Sequence, residues 1–195
     1  MKIAVVKYNA GNVQSVIYAL QRLGVEPIHT DNHQEIASAD KVIFPGQGEA
    51  KSAMNYLKDR GLDKVLTSLN QPFLGICIGL QLMCRYSEEG NTDCLGIFDI
   101  DVKKFASERG KEKVPHMGWN ILMNSENALF RDLVNPYLYY VHSYYAELGS
   151  DTVGTTEYIL PFSGALQKSN YYAIQAHPEK SSDAGQAILT NFLKL

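Results

Sequence analysis

The sequence predicts an α/β fold in which an open, mostly parallel sheet carries helices on both faces and an antiparallel strand region follows in the second half. Two patterns predict this fold class. Up to about residue 86, short apolar runs alternate with stretches of helical spacing, as in βαβ units. After that point, strand-like runs follow one another with few helical stretches between them. Because no linker or repeat interrupts the 195 residues, we expect one domain spanning residues 1–195.

The elements of the first half follow from apolar spacing and from the glycines and prolines that punctuate it. The run "KIAVVK", which starts at Lys2, is apolar almost throughout, as expected of a strand covered on both faces. Asn12 is expected to cap a helix that Gly24 stops. Further strands are predicted in "VEPIHT", "KVIFPG" and "PFLGI", and further helices over residues 49–59, 62–69 and 78–86.

The second half is dominated by predicted strands. They lie in "GIFDIDVKKF", "GWNILM", "YLYYVHSYY", "TVGTTEY", "GALQK" and "YYAIQA". The last stretch, "SSDAGQAILTNFLKL", has its apolar residues on one face of a helix and is expected to pack on the core.

Composition excludes several function classes. The net charge is −3 without a basic run, which gives no electrostatic support for a nucleic-acid or membrane partner. Three cysteines are too few for a disulfide scaffold, so we expect a reduced, cytoplasmic protein without a signal peptide or membrane span. No metal site and no cofactor are predicted, because there is no C-x-x-C motif and the histidines lack ligand spacing.

The segment Gly75-Ile76-Cys77-Ile78-Gly79 has the pattern of a nucleophile elbow. Cys77 would sit on a sharp turn between a strand and a helix, and the flanking glycines would let the two elements approach closely. The helix N-terminus would favour the thiolate form of Cys77. Taken alone, the pattern fits a buried structural cysteine equally well. Cys84 and Cys94 lack such a setting, and only packing roles are expected for them.

A base for this nucleophile is expected in "HPEKS". His177 follows a strand, at the sheet edge where ligands bind in open α/β folds. Pro178 would keep His177 extended, and in extended chain residues i and i+2 point the same way, so Glu179 could orient the imidazole. By itself, H-P-E fits an exposed turn better. In combination with Cys77, it favours a catalytic triad.

The segment Gly46-Gln47-Gly48 also follows a predicted strand and precedes a helix. Its backbone N–H groups could stabilise a developing negative charge, or they could cradle a phosphate. The phosphate interpretation is the weaker one, because neither G-x-x-x-x-G-K-[ST] nor G-x-G-x-x-G is present.

Three of these motifs, "PGQG", "GICIGLQ" and "HPEKS", resemble in their order and separation those of the class I (triad) glutamine amidotransferases. With "AGN", "VPHMGWN", "YVHSYY" and "GTTEY", the resemblance extends over nearly the whole chain. It is closest to the glutaminase subunits of imidazole glycerol phosphate synthases.

The resemblance implies a reaction and a set of residue roles. Cys77 would form a γ-glutamyl thioester, His177 would protonate the leaving ammonia and then activate water, and Glu179 would orient His177. The oxyanion would be held by backbone N–H groups of Gly46, Gln47 and Ile78, after a peptide rearrangement if the resting segment is not competent. The implied glutamine contacts are Gly48, Gln81, Ser143 and Tyr144. The implied positions at a partner interface are Asn12, Trp119, Tyr139 and Lys180.

The resemblance also implies a partner. In this family the glutaminase forms a heterodimer with a cyclase subunit, a (β/α)8 barrel, which uses the ammonia to make imidazole glycerol phosphate and an aminoimidazole carboxamide ribotide (AICAR) in histidine biosynthesis. The chain departs from the family pattern at Ala176, where a bulky aromatic residue is common, and at Gln47 and Glu49 in the glycine segment. These departures leave the triad intact.

Three alternatives share some of these features. A glutaminase that serves another synthase, such as the pyridoxal phosphate one, would have the triad but should lack "PHMGWN" and "VHSYY". A non-catalytic interaction subunit would not need Cys77, His177 and Glu179 together. A cysteine peptidase or esterase could use the same elbow, although Gln81 and the glycine segment favour glutamine.

Overall fold

A seven-stranded sheet forms the centre of the computed structural model, which describes residues 1–107, 112–125 and 127–195. The strands are β1 (Ile3–Val6), β2 (Ile28–Thr30), β3 (Lys41–Phe44), β4 (Phe73–Ile76), β5 (Tyr86–Ser87), β6 (Thr92–Asp93), β7 (Asp101–Lys104), β8 (His116–Ile121), β9 (Tyr137–His142), β10 (Tyr144–Ala146), β11 (Thr152–Glu157), β12 (Pro161–Lys168) and β13 (Tyr171–Ile174). The α-helices are α1 (Val13–Arg22), α2 (His33–Ala37), α3 (Ala50–Asp59), α4 (Leu62–Thr67), α5 (Ile78–Met83) and α6 (Ser182–Leu193).

The order of the central sheet is β11-β12-β13-β4-β3-β1-β2. The five strands from β13 to β2 are parallel, whereas β12 and β11 extend the sheet in antiparallel pairing. This arrangement confirms the predicted fold class, with a parallel sheet from the first half and antiparallel strands from the second. It also brings the carboxyl ends of β3, β4 and β13 to one edge of the sheet, where the predicted site residues follow each strand.

Side chains of the parallel strands alternate between two cores. Ile3 and Val5 of β1 pack on one face with α1 and α6, while Ala4 and Val6 pack on the other with α3 and α4. All four residues of β1 are buried, and the same holds for β3 and β4. Burial on both faces explains why these strands are apolar runs rather than alternating sequences.

Two smaller sheets are built from the second half and from the chain after α5. One has the order β10-β7-β5-β6, and the other is a two-stranded antiparallel ribbon of β8 and β9, hereafter the β8–β9 ribbon. No helix within the described ranges is long and apolar enough to cross a membrane.

Two predicted details are wrong. Helix α5 ends at Met83 rather than at residue 86, because Cys84 is extended and leads the chain into β5. Asn12 precedes α1 in a left-handed conformation and makes no side-chain bond to the helix backbone. The short helix α2 begins at His33, and Asn32 caps it by accepting bonds from the backbone N–H groups of Gln34 and Glu35.

Candidate active site

The sharp turn at Cys77 requires residues without a Cβ atom two positions before it and two positions after it. Cys77 has φ 55° and ψ −109°, between the last residue of β4 and the first of α5. A Cβ atom at Gly79 would lie 2.0 Å from the carbonyl oxygen of Phe44, and one at Gly75 would lie 2.4 Å from Met83 Sδ. Only glycines allow α5 to pack this closely on β3 and β4, so the elbow predicted from the two glycines is present.

His177 and Glu179 form a buried pair directly after β13. His177 Nδ1 lies 2.7 Å from Glu179 Oε1, and each side chain is 1% exposed. His177 is extended as predicted, but the chain from Pro178 to Lys180 is a 3-10 turn, not the extended segment that sequence reasoning assumed. Proline at the first position suits such a turn, and the turn brings the carboxylate back to the imidazole.

The electrostatics favour a charged His177. Burial by itself lowers the pKa of His177, but the nearby Cys77 sulfur and the Glu179 carboxylate outweigh that effect and raise its pKa above the ordinary value. His177 Nε2 is buried and makes no hydrogen bond to any residue that the structure describes. Since Nδ1 is held by Glu179, Nε2 is the nitrogen available to exchange a proton with a reacting group.

The glycine segment Gly46–Gly48 lies near Cys77, but the backbone of Gln47 is bonded to another loop. The Gly11 N–H donates to the Gln47 carbonyl (2.7 Å), and the Gln47 N–H donates to the Gly11 carbonyl (3.2 Å). The Tyr8 hydroxyl donates to the Pro45 carbonyl (2.7 Å), and a Cβ at Gly46 would lie 2.3 Å from the Tyr8 oxygen. The Gln47 N–H is therefore engaged by a neighbouring loop in this structure.

A pocket of about 320 Å³ opens above the sulfur of Cys77. It is bordered by Gln47, Gly48, Cys77, Ile78, Gln81, Glu89, Pro115, Val141, His142, Ser143 and Tyr144. All four residues that the resemblance implied as glutamine contacts are among them. The Gln81 amide nitrogen donates to the Tyr144 carbonyl (2.9 Å), which fixes one wall of the pocket.

The implied interface residues only partly come together. Trp119 is 43% exposed on the β8–β9 ribbon, and Tyr139 lies edge-on to it at a ring-centroid distance of 6.0 Å. Lys180 is exposed and borders a cleft together with Trp119. Asn12 is not part of that cleft; it is half-buried at the start of α1, where its side-chain oxygen accepts from Ser15.

The β8–β9 ribbon is bonded directly to residues 177–181, which form the 3-10 turn Pro178–Lys180 and its two flanking residues, hereafter the histidine turn. The His177 backbone N–H donates to the Tyr139 carbonyl (2.8 Å). The Ser181 hydroxyl accepts from the Tyr139 N–H (2.9 Å) and donates to the His177 carbonyl (2.6 Å). A shift of β9 would therefore move the backbone of His177.

Comparison with known proteins identifies the family. The family described as glutamine amidotransferase class-I matches residues 4–195. The chain is 56% identical over 196 residues to the imidazole glycerol phosphate synthase subunit HisH of Bacteroides fragilis (strain YCH46), covering 100% of both chains. It is 43% identical over 194 residues to the protein of that name from Pasteurella multocida (strain Pm70), covering 98% of this chain and 97% of the relative. The chain belongs to the class-I glutamine amidotransferases and, within them, to the HisH family.

Solved structures agree on the fold of this glutamine amidotransferase family. A structure described as a glutamine amidotransferase superposes with a TM-score of 0.73 at 15% identity, covering 98% of this chain and 97% of that one. A glutamine amidotransferase from Thermotoga maritima superposes with a TM-score of 0.63 at 16% identity, covering 100% and 83%. At these identities the likeness concerns the fold alone.

Several residues at the HisH-family site were missed by sequence reasoning. Glu89 comes from the turn after β5 and places a carboxylate in the pocket, and Ser181 bridges β9 and the histidine turn. Gln175 donates to Cys77 Sγ at 3.7 Å. Only Gln175 had a signal in the sequence, since it is a polar residue in an otherwise apolar run next to His177. Within the described ranges, no cluster of three or more His, Cys, Asp or Glu side chains is arranged to hold a metal ion.

Proposed function

We propose that this chain is the glutaminase subunit of an imidazole glycerol phosphate synthase. It hydrolyses glutamine to glutamate and ammonia, and the ammonia is channelled to a cyclase subunit for imidazole glycerol phosphate and AICAR formation in histidine biosynthesis. The single observation that carries the proposal is the Cys77 turn beside the buried His177–Glu179 pair, in a chain that matches HisH relatives over its full length.

The reaction proceeds in two halves. The Cys77 thiolate attacks the side-chain amide carbon of glutamine, and the carbonyl oxygen takes up the negative charge. The carbon–nitrogen bond then breaks while His177 Nε2 donates its proton to the departing ammonia, which leaves a γ-glutamyl thioester. In the second half, His177 takes a proton from water, the hydroxide attacks the thioester, and glutamate is released. Glu179 holds Nδ1 throughout, so Nε2 is the atom that gives and takes the proton in both halves.

Charge stabilisation in this mechanism depends on the glycine segment. The backbone N–H of Ile78 lies in the first turn of α5, where N–H groups have no partner within the helix, and it can serve as one oxyanion donor. The Gln47 N–H would be the second, but Gly11 engages it. We therefore assign this arrangement to a resting state, and the active state requires rotation of a peptide in the segment Gly46–Gly48. A partner that favours the rotated state raises the rate by population shift.

Glutamine itself is held by the pocket walls. Glu89 is half-buried and supplies a negative charge that suits the α-ammonium group of glutamine. Ser143, between β9 and β10, and Tyr144, the first residue of β10, offer polar groups, and Gly48 lets the substrate approach the backbone. Gln81 borders the same pocket and anchors the Tyr144 carbonyl, so it shapes the site as well as facing the substrate.

The cyclase subunit, a (β/α)8 barrel in this family, would form a heterodimer through the outer face of the β8–β9 ribbon. That face exposes a row of large apolar side chains: Met117 (67%), Trp119 (43%), Ile121 (43%) and Tyr137 (56%). An apolar patch of this size on one sheet face is typical of a protein interface. The proposal includes a cytoplasmic location, as the cysteine content and the biosynthetic role suggest.

Replacement of the nucleophile tests the glutaminase activity. Cys77→Ala should reduce glutamate formation from glutamine to background, because no thioester can form, while circular dichroism and the urea midpoint stay close to those of the parent chain. Cys94→Ala is the matched control, since Cys94 lies outside the pocket and should keep the parent rate. Glutamine turnover by the Cys77→Ala chain at the parent rate would refute the proposed function.

A further inference from the structure

Gln175 is a buried amide that the triad does not use, and its surroundings connect it to the nucleophile. It follows β13, two residues before His177, and its side chain is fully buried. Its amide nitrogen donates to Cys77 Sγ (3.7 Å), and its amide oxygen accepts from the Gln81 amide nitrogen (3.0 Å). Both ends of the Gln175 amide are thus engaged by residues of the pocket.

The orientation of this amide follows from the groups around it. The Tyr144 carbonyl can only accept, so the Gln81 atom that contacts it at 2.9 Å must be the amide nitrogen. That same nitrogen contacts Gln175 and therefore requires an acceptor there, which is the Gln175 oxygen. The remaining atom of the Gln175 amide, its nitrogen, must then face the sulfur. The peptide carbonyl of Tyr144 thereby determines which group of Gln175 is presented to Cys77.

We propose that Gln175 is a positioning residue for the nucleophile, which donates a hydrogen bond to the Cys77 sulfur and links the sulfur to Gln81 in the glutamine pocket. The inference rests on the proposed function for its role in turnover. A hydrogen bond to a charged acceptor is stronger than one to a neutral acceptor, so this N–H favours the thiolate over the thiol. It also holds Sγ relative to Gln81, so that the substrate and the nucleophile are placed by one continuous hydrogen-bonded chain.

Alkylation of Cys77 by iodoacetamide tests this donation without using glutamine. The rate is followed between pH 5.5 and 9.5 by mass spectrometry of the Cys77 peptide, for the parent, Gln175→Met and Gln175→Glu. Methionine is similar in size and removes both hydrogen bonds. Glutamate keeps an acceptor for Gln81 but replaces the amide that faces the sulfur. We expect both variants to react about tenfold more slowly near pH 7 and to have a profile displaced to higher pH.

The control is Gln167→Met, the same substitution in β12, opposite Tyr172 and away from Cys77; it should keep the parent profile. Parent-like profiles for both Gln175 variants would overturn the inference. A slow Gln175→Met combined with a parent-like Gln175→Glu would also overturn it, since Gln175 would then act only by holding Gln81. If the parent chain lacks glutaminase activity but shows the expected alkylation changes, the proposed function fails while the donation to sulfur stands.

Discussion

At the scale of single residues, the site depends on buried polar groups that are neutral or charged according to their partners. His142 Nδ1 donates to the Tyr144 carbonyl (2.7 Å), so its Nε2 is an acceptor, and His116 Nδ1 donates to it (3.0 Å). Burial lowers the pKa of His116 to about 4. The pKa of His142 is lowered to about 3 by burial and, when they are protonated, by the charges of His116 and His177, although the bond to Tyr144 opposes the shift. His177, in contrast, lies near the Cys77 sulfur and is paired with the Glu179 carboxylate, and both raise its pKa.

Because His116 and His142 are neutral in the folded chain, we predict that the free energy of unfolding falls in mild acid. An unfolded histidine binds a proton near pH 6.5, whereas His116 and His142 stay neutral in the fold down to about pH 4 and 3. Between these values the unfolded chain binds more protons, so the free energy of unfolding falls as pH falls, by up to about 1.4 kcal/mol per pH unit for each histidine.

Urea unfolding at pH 7.5, 6.0 and 5.0 measures this effect. We expect His142→Gln to lose less stability than the parent over that interval, by about 1 kcal/mol or more. The exposed His33, changed to Gln, is the control and should follow the parent curve. The contribution of His177 is present in all three chains and largely cancels from the comparison. Parallel curves for the parent and His142→Gln would show that His142 is not held neutral by the fold.

At the scale of elements, two helices pack directly against backbone carbonyl groups of other segments, and a glycine stands at each contact. Gly79 of α5 faces the Phe44 carbonyl of β3, and Gly185 of α6 faces the Pro178 carbonyl, where an added Cβ would lie 1.9 Å from the oxygen. The second contact matters for the site because Pro178 begins the 3-10 turn that presents Glu179 to His177. Close helix packing thus positions both Cys77 and the pair of His177 and Glu179.

The substitution Gly185→Ala distinguishes the effect of this contact on stability from the effect of helix propensity. Alanine normally stabilises a helix interior by about 0.5–1 kcal/mol relative to glycine. Here we expect the opposite sign, a loss of about 1–3 kcal/mol in urea unfolding together with reduced glutaminase activity, because the turn that carries Glu179 must move. Gln186→Ala, at the next and exposed position of the same helix, should change stability by less than about 0.5 kcal/mol. A stabilised and fully active Gly185→Ala chain would contradict the contact.

At the scale of the whole molecule, local patterns sufficed for the strands of the central sheet and for the elbow at Cys77, because each depends on residues that are near in sequence. Contacts between distant segments could not be predicted. The pairing of His116 with His142 depends on the register of the β8–β9 ribbon, and the bonds between Gly11 and Gln47 depend on two loops meeting above the sheet. The orientation of the Gln175 amide likewise depends on Gln81 in another element.

The outer and inner faces of the β8–β9 ribbon suggest how a partner could act on the chemistry. Trp119 faces outward with the exposed apolar row, while the backbone of Tyr139 is bonded to His177 and to Ser181. The β8–β9 ribbon is therefore one backbone hydrogen bond away from His177. Trp119→Ala should weaken partner binding by about tenfold or more, as expected for a central aromatic residue of an interface, and titration of the partner measures it. The basal glutaminase rate of the Trp119→Ala chain, measured without the partner, should equal that of the parent.

The most direct test of the proposed function is the glutaminase rate of this chain alone, with the cyclase subunit, and with the cyclase subunit plus its phosphorylated ligand. Completion of an oxyanion hole by one further N–H group is worth a factor on the order of 10²–10³. We predict a stimulation of that order when partner and ligand are both present, a complex that elutes as a heterodimer in gel filtration, and no activity with Cys77→Ala under any condition. A glutamine-hydrolysing chain that forms no complex and shows no stimulation would contradict the proposal that it is a synthase subunit.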